Sequence, residues 1–99
     1  MNSRRSKIDI VHDILKAMHD KGGKIKPTHL LYKSNLSHNR MMEYIKELIG
    51  KGLIAEERED EKINYTITNS GLEFLANYKK LKEFTEIRTK LLRKAWYEV

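Results

Sequence analysis

Four histidines, one acidic run and one glycine pair are the first places to look for reactive chemistry in this sequence. His12, His19, His29 and His38 form no HxxxH pair, and the chain has no cysteine to share a metal with them. No carboxylate stands at zinc-ligand spacing either, so the histidines read as helix-surface residues. The run Glu56-Glu57-Arg58-Glu59-Asp60-Glu61 lacks the Asp/Asn alternation and central glycine of a calcium loop. Gly22-Gly23 precedes no Gly-Lys-Ser/Thr step, so a phosphate-cradling loop is not written here. Without cysteine there is no thiol catalysis, thiolate metal site or disulfide, which fits a reducing interior. No spacing pairs a nucleophile with a base. These residues predict a binding protein and no enzyme, with no cofactor, metal or small-molecule substrate.

A different chemistry lies between residues 37 and 50. Met41, Tyr44, Ile45 and Leu48 recur at the spacing of one helical stripe and are the candidates for burial. At about 100° per residue, Asn39, Glu43 and Lys46 fall on the opposite face, flanked by Arg40 and Met42. Ser37 and His38 stand at the N-terminal end. Asn can pair with adenine through two hydrogen bonds, Arg with guanine, and a Met side chain can meet the thymine methyl. Ser37 and the helix N-terminus could hold a phosphate. The plain alternative is a solvated helix face, and only the neighbouring elements separate the two.

Those elements can be read in order. Asn2 to Lys7 is a basic arm holding Arg4, Arg5 and Lys7. From Ser6 onward Ile8, Val11, Ile14, Leu15 and Met18 form a helical stripe that stops at Gly22-Gly23. Pro27 suits the first position of a second helix, which carries Leu30, Leu31 and Tyr32 inward and ends at Ser34-Asn35. Ser37 caps the third helix, and Gly52 closes it. Leu53 to Arg58 reads as a strand, and Ile63, Tyr65 and Ile67 alternate with polar residues as a second one. The acidic run forms the turn between them. Thr68 or Asn69 caps a fourth helix with Leu72, Leu75 and Tyr78 on one face. No glycine follows Gly71 and no proline follows Pro27, so that helix can run on to the neighbourhood of Val99, ~45 Å for about 30 residues.

A mainly α chain with a two-stranded β-hairpin results: helix, helix, helix, strand, strand, long helix. Two short helices joined by a tight turn and followed by a hairpin make a winged helix-turn-helix, in which the third helix keeps one face for the major groove. The expected divisions are an arm at 1–5, a winged-helix domain at 6–80 and a dimerisation helix at 81–99. With 99 residues there is room for one modest core. The longest apolar runs are about three residues, as at Leu53-Ile54-Ala55, which leaves no membrane span or signal-peptide core and no membrane partner.

Charge supports a polyanionic partner. The chain carries a formal +6. Residues 56–61 hold five acids against one arginine, a local −4 that leaves +10 on the other 93 residues.

The string Asn35-Leu36-Ser37, Met41, Tyr44-Ile45, Leu48, Lys51-Gly52-Leu53-Ile54, then Tyr65-Thr66-Ile67-Thr68, Gly71 and Phe74-Leu75 resembles the archaeal winged-helix family of small, abundant chromatin-associated proteins and related regulators. The resemblance covers about residues 6–80. It implies a dimer through an antiparallel coiled coil of the last helices, and double-stranded DNA bound by the third helix and the wing. A wing that touches phosphate should be basic, and here only Arg58 and Lys62 would help. The hairpin therefore either stays clear of DNA or faces another protein.

Beyond about Lys80 the last helix continues a stripe of Leu81, Phe84, Ile87, Leu91 and Ala95 that its own domain has nothing to cover. Such a stripe usually pairs with its symmetry mate, with Trp96 docking on the partner as well. The sequence thus predicts a cytoplasmic, nucleoid-associated homodimer on duplex DNA, regulatory or architectural. The candidate DNA-binding residues are Ser37, His38, Asn39, Arg40, Met42, Glu43, Lys46, Arg58 and Lys62. The rival reading is a winged-helix protein-interaction module that docks a basic partner on its acidic hairpin.

Overall fold

The computed structural model describes the backbone of residues 5–97 and the side chains of residues 5–84. Its elements are α1 (Lys7–Asp20), β1 (Lys24–Ile25), α2 (Pro27–Ser34), α3 (His38–Gly50), β2 (Ile54–Glu59), β3 (Lys62–Ile67) and α4 (Asn69–Tyr97). Each helix start has a local cause. The Ser6 hydroxyl accepts from the Asp9 N–H, the Ser37 hydroxyl from the Arg40 N–H, and Pro27 opens α2 where its missing donor costs nothing. Several of the turns use positive φ. Gly22 and Gly23 return the chain after α1, with the Gly23 N–H bonded to the Met18 carbonyl at 2.8 Å, and Asn35 (φ 56°) ends α2.

One sheet, not a lone hairpin, closes the domain. Its order is β1-β3-β2, with Lys24 opposite Thr66 and Ile25 opposite Tyr65. Periodicity does not reveal β1, because a two-residue strand between Gly23 and Pro27 shows no alternation. The hairpin also differs from expectation. The acids Glu56, Glu57 and Glu59 lie within β2, and only Asp60-Glu61 connect the strands, Asp60 at φ 57°.

The core lies where α1, α2, α3 and the sheet meet. Ile14, Leu15, Met18, Leu30, Met41, Ile45, Leu48 and Ile54 are fully or almost fully buried, with Ile10, Val11, Ile25 and Tyr65 around them. Burying each large aliphatic side chain stabilises the fold by ~1.5–3 kcal/mol. Three side chains leave the expected stripes. Ile8, in the first turn of α1, is exposed while Ile10 is buried, because α2, α4 and the sheet cover a wide arc of α1. Tyr32 points outward at 84% exposure, and Leu72 is exposed while Leu75 packs on the core as expected, joined by Phe74.

The junction of α4 with the sheet joins two sequence signals. The Thr68 hydroxyl donates to the Gly52 carbonyl at 2.6 Å and accepts from the Gly71 N–H at 3.1 Å. The Thr68 N–H donates to the Leu53 carbonyl at 3.1 Å. Lys51-Gly52-Leu53-Ile54 and Thr68-x-x-Gly71 are thus two halves of one contact.

Candidate nucleic-acid interface

The presentation of α3 begins with the turn before it. Asn35 in the left-handed region stops α2, and Ser37 restarts the helix three residues after Ser34. Met41, Ile45 and Leu48 are buried and Tyr44 is half-buried, so the inner stripe fixes which side faces out. His38, Asn39, Arg40, Glu43 and Lys46 are all exposed, together with Ser37. Met42 departs from this set. It is half-buried against the core, so its thioether supports the helix more than it faces a groove.

One flank of α3 is held by the start of α1. Lys7 Nζ lies 2.7 Å from Glu47 Oε1, and Lys51 Nζ lies 3.5 Å from the same oxygen. The Lys7 hydrogen bond holds the Glu47 carboxyl below its ordinary range, and Glu47 in turn raises the Lys7 ammonium. A shallow depression lined by Lys7, Arg40, Glu43, Tyr44 and Glu47 runs along this flank.

The wing is less acidic in effect than in sequence. Glu57 Oε2 lies 2.9 Å from Lys24 Nζ across the sheet, and this contact lowers the carboxyl and raises the ammonium. Glu56 holds Arg58 at 3.3 Å, and Glu59 stands opposite Lys62 in the register. Arg58 and Lys62 are exposed but fall on opposite faces of the ribbon, by the alternation of strand side chains. The structure therefore does not gather them with α3 into one cluster, and the tip residues Asp60 and Glu61 carry the remaining negative charge.

A basic surface not evident from the sequence emerges at the other end of the motif. The outward face of α2 carries Thr28, Tyr32, His29 and Lys33, beside Lys21, Lys24 and Lys26 at the β1 corner. His29 is shifted down by partial burial first and then by the nearby Lys21 and Lys33 charges. The i, i+4 pair Thr28 and Tyr32 was the available signal, and it is weak in an eight-residue helix.

The long helix is anchored at its base. The Tyr78 hydroxyl donates to Asp9 Oδ1 at 2.5 Å, and its ring stacks on His12 at 4.0 Å between centroids. Past this clasp, Leu81 is 60% and Phe84 63% exposed. The side chains of Ile87, Leu91, Ala95 and Trp96 lie outside the described residues. Among the described residues, no group of His, Asp or Glu could hold a metal ion, and no helix is long and apolar enough to cross a membrane.

Comparison with known proteins agrees with this architecture. A family model described as winged helix-turn-helix matches residues 4–86. None of the curated proteins matches the chain in sequence. Among solved structures, Sso10a-2, a DNA-binding protein from Sulfolobus solfataricus, superposes with a TM-score of 0.77 at 19% identity, over 96% of this chain and 97% of that one. MepR, a transcription regulator of a Staphylococcus aureus multidrug efflux pump, gives 0.68 at 16% identity over 87% and 64%. TubR from Bacillus thuringiensis, solved on 24 base pairs of tubC, gives 0.64 at 19% over 79% and 98%. At these identities the likeness shows the fold alone.

Proposed function

The chain belongs to the winged helix-turn-helix family, and from that premise we propose that it is a homodimeric, duplex-DNA-binding protein of regulatory or architectural type that places α3 in the major groove. One observation carries the reading. The inner stripe of α3 is buried while Asn39, Arg40, Glu43 and Lys46 line its exposed outer side, a row of base-reading and phosphate-reading groups. The fold likeness to a DNA-binding protein and to a protein solved on DNA supports it. The exposed Leu81 and Phe84 beyond the domain support pairing through α4.

The basic face of α2 fits the same geometry, since the first helix of such a pair crosses the backbone. The wing contributes little attraction, because its cations already face acids. Binding to a preferred duplex and to random duplex tests the reading. Asn39→Ala and Arg40→Ala should weaken the preferred complex by ~1–3 kcal/mol more than the random one if each reads a base. Equal losses would reduce a residue to a phosphate contact, and no loss from either would end the assignment of α3.

A further inference from the structure

The sequence points to no small-molecule site, yet the fold builds a cleft where α1, α3 and α4 meet. Ile8 and Val11 on α1, Leu48 on α3, Leu53 beyond it and Phe74 on α4 wall an open space of about 410 Å³. Val11 and Leu48 belong to the buried core, while Ile8 stays 49% exposed. Lys7, Glu47 and Lys51 complete the lining. Both ammonium groups converge on one oxygen, Glu47 Oε1, at 2.7 and 3.5 Å. Two cations thus share one acid, and an apolar cleft is left with a surplus positive charge beside it. The side chains of Lys7 and Lys51 are each 63% exposed. Ion pairs this exposed contribute little to stability, so a competing carboxylate can take the lysines from Glu47 at small cost.

We propose that this cleft binds a small amphipathic monocarboxylate, its apolar body over Ile8, Leu53 and Phe74 and its carboxylate between Lys7 and Lys51. A mostly apolar wall with a few charged groups that fix orientation is the usual make-up of a small-molecule site. Charge selects the occupant. One surplus cation matches one carboxylate, a neutral molecule would leave that cation unused, and a more highly charged anion would be repelled by Glu47. Lys7 and Glu47 also line the depression that holds Arg40 and Glu43 on the outward side of α3. A bound carboxylate therefore adds one negative charge beside the surface proposed to meet DNA, and should weaken duplex binding. That coupling rests on the duplex-DNA reading above, whereas occupation of the cleft does not.

The test uses the full chain, labelled at its isoleucine, leucine and valine methyl groups. The probe is octanoate below its micelle concentration, with octanol as the uncharged control. Without DNA, octanoate should shift the Ile8, Val11 and Leu53 methyls to saturation. Lys51→Gln should weaken it ~10-fold, the loss of one charge-assisted hydrogen bond, and leave octanol unaffected. Lys51→Arg, which keeps the charge, should retain the affinity. Saturating octanoate should lower duplex affinity ~5-fold or more at low salt, fading as salt rises, and duplex should weaken octanoate by the same factor. Equal binding of octanoate and octanol, or no effect of Lys51→Gln, would overturn the carboxylate site. So would shifts confined to Leu81 on α4, and so would Ile8 shifts that follow protein dilution instead of octanoate, which would give the cleft to a second copy. Octanoate that binds without altering duplex affinity refutes the coupling. A chain that binds octanoate as described but no duplex refutes the α3 reading and leaves the cleft established.

Discussion

At Gly71 a single added methyl group sets two effects against each other. In a helix, alanine is favoured over glycine by up to about 1 kcal/mol. A Cβ at Gly71, however, would run into the Leu53 carbonyl oxygen and the Ile67 side chain. The Leu53 carbonyl cannot retreat easily, because it accepts the Thr68 N–H at 3.1 Å. Overpacking of this kind costs ~1–3 kcal/mol. The clash outweighs the propensity, so Gly71→Ala should destabilise by up to about 2 kcal/mol. Gly50, the last residue of α3, has nothing within 4 Å of the same added atom. There the same substitution should stabilise by ~0.4–1 kcal/mol. For a domain of this size 1 kcal/mol moves the melting temperature by ~4–8 °C. Melts followed by circular dichroism at one fixed protein concentration decide the matter, because a dimer's Tm depends on concentration. The two variants should move in opposite directions. A Gly71→Ala protein that melts above the original chain would refute the packing argument at the root of α4.

Three further outcomes follow from the same contacts. Phe84→Asp with Leu91→Asp places charge in the proposed seam and should yield helical monomers by light scattering, whereas an unaltered dimer would put the seam elsewhere. Replacing Glu59, Asp60 and Glu61 by Gln, Asn and Gln should tighten DNA binding at low salt, with the gain fading as salt rises; a clear drop in affinity contradicts a tip lying near the backbone. The Tyr78–Asp9 bond holds the Asp9 carboxyl below its ordinary 3.8 and pushes the Tyr78 hydroxyl from 10.0 up to about 12. Its stabilisation is present above the ordinary Asp value and lost as pH falls through the lowered one; it is also present below pH 10 and lost as pH rises toward about 12. Tyr78→Phe should therefore flatten both limbs of the urea midpoint plotted against pH, and unchanged limbs would show that the bond contributes nothing.

Elements that announce themselves by period or cap are legible in the sequence alone. The stripes of α1 and α3, the cap at Ser37, the Asn35 turn and the alternation of β3 all depend on residues within a few positions of one another. What the sequence hid depends on distant residues meeting. β1 is a strand only because β3 lies beside it. The wing reads as a block of acid until Lys24, more than thirty residues earlier, is seen against Glu57. Tyr78 and Asp9 are 69 residues apart, and Lys7 and Glu47 are 40 apart. Tyr32 and Leu72 misled for another reason, since each is apolar enough for a core yet sits one step off the arc that its neighbours cover. For the candidate site, the outward set on α3 followed from helical phase alone, while the basic corner of α2 and β1 needed the fold to assemble it.

The central claim is that duplex DNA is met by the outer side of α3. Amide chemical shifts of the isotopically labelled full chain, followed during titration with duplex at low salt, report on that side directly. The account predicts the largest changes at His38, Asn39, Arg40, Glu43 and Lys46, with smaller ones at the start of α2, while the buried partners Ile45 and Leu48 change least within the helix. Changes confined to the Asp60-Glu61 tip and to α4, with α3 silent, would contradict it.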